Sequence, residues 1–195
     1  SGGIHYWGII KGDNTSLAAI SIYNDEVMGM ISSPSLGNLV LGKLENDAAN
    51  RHILYNDKNL KAHSTIECFT ANDNGTYKTK ELQSSNRVMS NCIRLFWEVN
   101  YDIFQGQGSV TNAANYVTGL FNQSAIIYAN DAIPVELSEV YVWNTPSPYT
   151  NSTTSGQLSL FQQTRNSING DLGHLLGYTG GGGIAAGFSG ICNAN

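Results

Sequence analysis

Charge is scarce in this 195-residue sequence: 13% of the residues are charged, and 10 Lys and Arg are outnumbered by 15 Asp and Glu, for a formal net charge of -5. A basic footprint for nucleic acid is therefore missing, and we expect no nucleic-acid partner. No apolar run approaches the roughly 20 residues of a membrane span, so we expect no spanning helix. The start, Ser1-Gly2-Gly3-Ile4-His5, lacks the basic and apolar regions of a signal peptide, and we expect any export signal to have been removed already. Histidine is confined to His5, His52, His63 and His174, and no two of these share a helical face. Cysteine is confined to Cys68, Cys92 and Cys192, an odd number that leaves one thiol over from any single bridge. What the chain does have is apolar content, 41% hydrophobic residues, enough for one mid-sized domain or two small ones. That content excludes disorder and collagen.

The charge is unevenly spread. Residues 1–90 hold eight of the basic and nine of the acidic residues, leaving Arg94, Arg165 and six acids for 91–195. Between the halves, Ser84-Ser85-Asn86-Arg87-Val88-Met89-Ser90-Asn91 is polar and without periodicity, which reads as a linker. We therefore expect a β-rich domain at 1–83, a linker at 84–91 and a second domain at 92–195.

The first half reads as short strands at 5–11, 17–23, 27–32, 38–43 and 52–55, rich in Ile, Val, Leu, Tyr and Trp and separated by Gly12-Asp13-Asn14, Asn24-Asp25 and Asp47-Ala48-Ala49-Asn50. Such spacing suits a meander or a small open barrel. Its histidines and carboxylates stand singly on different strands and compose no catalytic group.

The second half changes period. A strand at 93–103 is followed by Val110, Ala113, Ala114, Val117, Leu120, Phe121 and Ala125 at helical spacing, with Ser109 as N-cap. A strand at 135–143 alternates Val135, Leu137, Val140 and Val142 with polar residues, the count slipping by one between Leu137 and Val140. Leu158, Phe161 and Ile168 mark a second helix after a Ser/Thr/Pro loop at 144–155. Strands at 172–176 and 184–191 close the order β-α-β-α-β-β, which argues an α/β arrangement with a largely parallel sheet. Gly180-Gly181-Gly182-Gly183 precedes a strand-like segment without a following Lys-Ser/Thr, so it reads as a turn and not a phosphate loop. Small residues after it permit close approach of another backbone, as in peptide binding by strand addition.

Several segments, in order, resemble one family. His5-Tyr6-Trp7-Gly8-Ile9-Ile10-Lys11-Gly12-Asp13, then Ser21-Ile22 and Val27-Met28-Gly29-Met30-Ile31, resemble the propeptide of reprolysin-like (adamalysin/ADAM-type) metzincin zinc proteases. Leu95-Phe96-Trp97-Glu98-Val99-Asn100-Tyr101-Asp102 is similar to the first strand of their catalytic domain. Phe121-Asn122 and Ile133-Pro134-Val135-Glu136-Leu137 resemble the end of the first helix and the second strand. Asp171-Leu172-Gly173-His174-Leu175-Leu176-Gly177 and Gly183-Ile184-Ala185-Ala186-Gly187-Phe188-Ser189-Gly190-Ile191-Cys192 resemble the third strand and the edge strand. The secreted bacterial members are the nearest in pattern.

The resemblance implies an α+β whole: an all-β propeptide-like domain, then a truncated zincin-like α/β subdomain with a mostly parallel sheet and an antiparallel edge strand. It implies a secreted, extracellular zinc endopeptidase, in which zinc-activated water cleaves a protein or peptide substrate lying along Gly183, Ile184, Ala185, Ala186, Gly187 and Phe188. The signature H-E-x-x-H-x-x-G-x-x-H is absent, so the zinc ligands and the catalytic base are expected outside this sequence, and the chain alone is expected to be inactive. Cys68 is the candidate inhibitory zinc ligand by which the chain's own propeptide blocks the metal; a Phe follows it where the family has Gly, and an ordinary buried thiol is the other reading. The resemblance pairs Cys192 with a later cysteine, with a Cys92–Cys192 bridge as the alternative. Asp171 falls on a calcium position of some members, although Glu98 stands closer to Asp102 than in the family, and an Asp that simply starts a strand is the competing reading. His174, between Leu172 and Leu176 without a partner His, reads as a satisfied buried histidine. A non-catalytic extracellular binding or adhesion module on the same fold is the alternative to the enzyme.

Overall fold

The computed structural model describes residues 2–61, 67–68, 92–179 and 181–186. The fold is mixed α and β. Contacts gather the chain into two compact units that are discontinuous in sequence: Ser1–His63 with Phe104–Ala132, and Ser64–Ile103 with Ile133–Asn195. The linker expected at 84–91 lies outside the described residues.

The first unit is an antiparallel meander of β1 (Ile4–Ile10), β2 (Asp13–Ile22), β3 (Val27–Ser33), β4 (Gly37–Lys43) and β5 (His52–Asn56), hydrogen-bonded in that order. These strands fall close to where the runs rich in Ile, Val, Leu, Tyr and Trp and their turn residues place them. Gly12 closes the first hairpin at φ 89°, a backbone conformation that glycine adopts without a Cβ penalty. Register puts His5, Ser21 and Met28 on one face, and Tyr6 with Ile20 on the other.

A short helix α1 (Tyr101–Gln107) ends at Gly108, and the long helix α2 (Val110–Asn130) begins after it. Ser109 is its N-cap, accepting from Asn112 N at 3.1 Å. Ala113, Val117, Asn122, Ala125 and Ile126 form the buried stripe of α2. Although α2 follows the first strand of the second half, it packs on β2, β3 and β1. Polar pins fix it there: Trp7 Nε1 donates to Asn122 Oδ1 at 2.7 Å, Asn122 Nδ2 donates to Ile20 O and Ser21 Oγ at 3.2 Å, and Tyr23 OH donates to Asn115 O at 2.7 Å. A Cβ at Gly119 would collide with Met28 Sδ, so the close approach of α2 to β3 depends on that glycine.

The second unit holds β7 (Ile93–Val99), β8 (Val135–Val142) and β9 (Leu172–Leu176) as a parallel sheet in the order β8-β7-β9, with α3 (Thr154–Thr164) between β8 and β9 in sequence. The central strand is buried from Leu95 to Val99, as expected of a parallel strand covered on both faces. The slip in the alternation of β8 is a bulge. Leu95 pairs with Leu137 and Phe96 with Glu139, leaving Ser138 over, and its Oγ donates to Leu95 O at 2.9 Å. The strand expected to run to 103 stops at Val99, because Asn100 Oδ1 accepts from Tyr101 N at 2.8 Å and turns the chain into α1. Phe96, Tyr149 and Phe161 form one buried cluster of this unit, with Tyr141, Trp143, Leu160, Ile168 and Leu175 packed around them.

A separate ladder joins β6 (Glu67–Cys68) and β10 (Gly182–Gly183) in parallel. The antiparallel edge strand expected at 183–188 is therefore not found among the described residues. Regular strand ends at Gly183, residues 184–186 continue as irregular chain, and Gly187 and Phe188 lie outside the described residues. Gly181 at φ 62° precedes the pairing, and consecutive glycines supply no side chains to hold a longer strand against a sheet.

Candidate functional site

In the order β8-β7-β9 the chain leaves β7 toward one neighbour and later crosses to the other. Its switch point therefore lies between the carboxyl ends of β7 and β9, where open parallel sheets hold their ligands. Asn100 and Asp102 follow β7 there, and Gly177, Tyr178 and Thr179 follow β9. Asn100 N donates to Leu176 O at 2.8 Å, extending the pairing by one residue. Asp102 gathers the neighbouring loop: its Oδ2 accepts from Tyr178 N (2.9 Å), Thr179 N (3.1 Å) and Thr179 Oγ1 (2.7 Å), while Oδ1 accepts from Ile103 N at 2.7 Å. This carboxylate thus fixes the start of the segment that runs on to Gly183. Sequence reasoning passed over it, since the contact spans 76 residues.

The β10–β6 ladder brings two predicted site elements together. Gly182 pairs with Glu67, and Gly183, the first residue of the candidate substrate segment, pairs with Cys68, the candidate inhibitory cysteine. Ile184 is half-buried, and Ala185 and Ala186 are exposed.

Asp171 stands at the other end of β9. Its N donates to Arg94 O and its Oδ2 accepts from Arg94 N, both at 2.7 Å, so it opens the β7–β9 ladder. His174 is half-buried with its ring 6.1 Å from that of Trp97, and burial pushes its pKa below the usual histidine range. His5 Nδ1 lies 2.9 Å from Ser21 Oγ, and His52 Nε2 accepts from Val27 N at 2.9 Å. Among the described residues no three His, Cys, Asp or Glu side chains converge on a point where a metal could sit. Cys92 is half-buried, with burial and then Glu136 raising its thiol pKa; Cys192 lies outside the described residues.

Glu98 is the feature that sequence reasoning placed differently. It is fully buried mid-sheet. Its Oε1 accepts from Trp143 Nε1 at 2.5 Å and Tyr149 OH at 2.7 Å, and its Oε2 from Arg165 Nε at 2.5 Å. The Arg165 guanidinium lies 4.4 Å over the Tyr141 ring and 5.6 Å over Phe96. Burial, then the Glu98 carboxylate, hold the Tyr149 phenol well above its ordinary pKa, and the bond to Glu98 raises that of Arg165. With both oxygens engaged, Glu98 ties the loop after β8 and the turn after α3 onto β7. A single Glu inside Leu95-Phe96-Trp97-Glu98-Val99 was the signal available in the sequence, since a lone carboxylate in a buried run requires buried donors.

Compared with protein-family models and with curated proteins, the chain matches none.

Proposed function

We propose that this chain is the latent, propeptide-bearing part of a secreted zinc metalloendopeptidase, and that residues 183–188 receive an extended peptide by strand addition. The pairing of Gly182–Gly183 with Glu67–Cys68 carries this reading. A segment from the propeptide-like half lies as a strand on Gly183, the first residue of the candidate substrate segment, where an inhibitory propeptide would exclude substrate. The parallel sheet and the Asp102-anchored loop support it, because they deliver that segment from the carboxyl end of β9. The sequence contains no H-E-x-x-H, so zinc and the base belong, in this reading, to a helix outside it. The work left to this chain is to present a backbone edge and to cover it before activation.

The decisive measurement is made on the parent reading frame and on protein purified from it. We expect H-E-x-x-H within a few tens of residues after Asn195, stoichiometric zinc in the longer protein, and EDTA-sensitive cleavage of a casein-type substrate that Cys68→Ser brings on earlier. The chain as given is expected to hold no stoichiometric zinc and to cleave nothing. A frame without the motif, together with a metal-free and inactive parent, overturns the protease and leaves the non-catalytic binding module.

A further inference from the structure

The meander has two outer edges, β1 and β5, and they differ. β5 is five residues long and is bracketed by Arg51 before it and Asp57 and Lys58 after it, the short, charged form in which proteins keep edges from pairing. β1 is seven residues long, contains no Lys, Arg, Asp, Glu or Pro, and exposes Ile4, Tyr6, Trp7 and Ile9, each more than half open to solvent. No strand among the described residues lies on its outer side.

The exposed aromatics are also held in place. Trp7 is 53% exposed, yet its indole nitrogen is fastened to Asn122, which is itself buried and bonded to Ile20 O and Ser21 Oγ. A large ring fixed in advance loses little entropy on contact, which is the character of an interface anchor. On the opposite face Tyr6 shares a row with Ile20, and Ile4 with exposed Ile22, so the apolar surface continues inward from the edge.

We propose that β1 is a homotypic pairing edge, through which two copies of this chain join antiparallel along Ile4–Ile10 about a two-fold axis at Trp7. The register of β1 on β2 is regular from Ile4 to Gly8 and shifts between Gly8 and Ile10, and antiparallel pairing centred on Trp7 sets Trp7 against the partner's Trp7 and Tyr6 against Gly8 of the partner subunit within the regular part. An aromatic ring thus covers bare glycine backbone twice in each pair, and no like charges meet across the axis. The same strand satisfies what the edge requires of a partner: equal length, no charge and matched side-chain sizes. A pairing through one seven-residue strand is small beside the about 1,200 Å² at which stable interfaces begin, so association is reversible and depends on concentration.

Sedimentation velocity over a concentration series tests this on the chain as given and on Ile9→Lys, Tyr6→Lys and Leu54→Lys, each first shown to be folded by its thermal melt. We expect a monomer–dimer equilibrium in the parent and in Leu54→Lys, with the dissociation constant raised at least about tenfold, or about 1.4 kcal/mol, in the two β1 variants. Hydrogen exchange should slow with concentration at residues 4–10 and not at 52–56. A monomer at every concentration overturns the proposal. So does association that survives both β1 substitutions and fails in Leu54→Lys, or exchange that slows at 181–186 instead. If the chain stays monomeric yet binds an added peptide of the β1 sequence, the edge is a peptide acceptor and the second copy is excluded as its occupant.

Discussion

The antiparallel and parallel sheets bury their strands by different means. In the meander one face lies under α2, where Ala19, Ser21 and Met28 are buried. Trp7 and Tyr23 reach the helix through hydrogen bonds, Trp7 with half its surface in water and Tyr23 buried. In the parallel sheet the central strand is enclosed on both sides, so Leu95, Phe96, Trp97, Glu98 and Val99 are all buried. A carboxylate among them is tolerable only because donors from two other segments converge on it. One sheet is stabilised by row upon row of local alternation, the other by a few contacts that are remote in sequence.

The sharpest way to break that contrast is at Glu98. Replacing one partner of a buried pair strands the other, so Glu98→Ala should destabilise the parallel sheet by about 3 kcal/mol, the lower end for buried pairs because Arg165 keeps some contact with water. Hydrogen exchange at β7, β8 and β9 would register it while β1–β5 stay protected. The double substitution Glu98→Leu with Arg165→Met should recover only part of the loss, since Trp143 Nε1 and Tyr149 OH stay without their acceptor. A matching loss in both sheets would contradict the contrast.

A smaller effect is expected under α2. Gly119→Leu overpacks the contact with Met28 and should cost about 1–3 kcal/mol, read in urea unfolding of the meander, with Met28→Ala restoring part of it. If Met28→Ala instead adds its own penalty in full, the helix does not meet β3 at that glycine.

Smaller still is the anchoring of the candidate site. Asp102→Ala removes the acceptor for Tyr178 N, Thr179 N and Thr179 Oγ1 and should cost about 1 kcal/mol, concentrated in faster exchange at 178–179. Unchanged exchange there would mean that Gly177 and its neighbours hold their course without the carboxylate.

The smallest expected effect is on pH dependence. Burial disfavours the imidazolium of His174, so its folded pKa lies below the unfolded one. Above the ordinary pKa of about 6.5 both states are neutral and the stability is complete. Acidification protonates the unfolded chain first, and stability then falls until the folded pKa is passed. His174→Phe should flatten that slope; an unaltered acid limb would assign the dependence to other groups.

Element type was legible in the sequence wherever a local period carries it. The five strands of the meander, the Ser109-capped helix, and the strand at 172–176 follow from alternation, helical spacing and turn residues. The slipped count after Leu137 marked the Ser138 bulge, since an extra residue shows as a break in period 2. The candidate site was less legible. Gly183 and Cys68 were singled out separately, but their backbone pairing depends on two segments more than a hundred residues apart, and nothing local encodes it. Asp102 fell inside the strand expected at 93–103, and its bonds to Tyr178 and Thr179 come from a loop more than seventy residues away.

By itself, then, the sequence determined the element type of the meander strands, of the Ser109-capped helix and of the strands β8 and β9, because backbone preference and the burial of one face are settled within a few residues. It also determined that no helical histidine pair is present to hold zinc. Tertiary structure alone decided which sheet α2 covers, how Glu98 is neutralised, and that Gly182 and Gly183 pair in parallel with Glu67 and Cys68. Those outcomes depend on contacts that form only once distant segments have been brought together, where the fit of Gly119 to Met28 or of Arg165 to Glu98 decides between arrangements that the local pattern leaves equal.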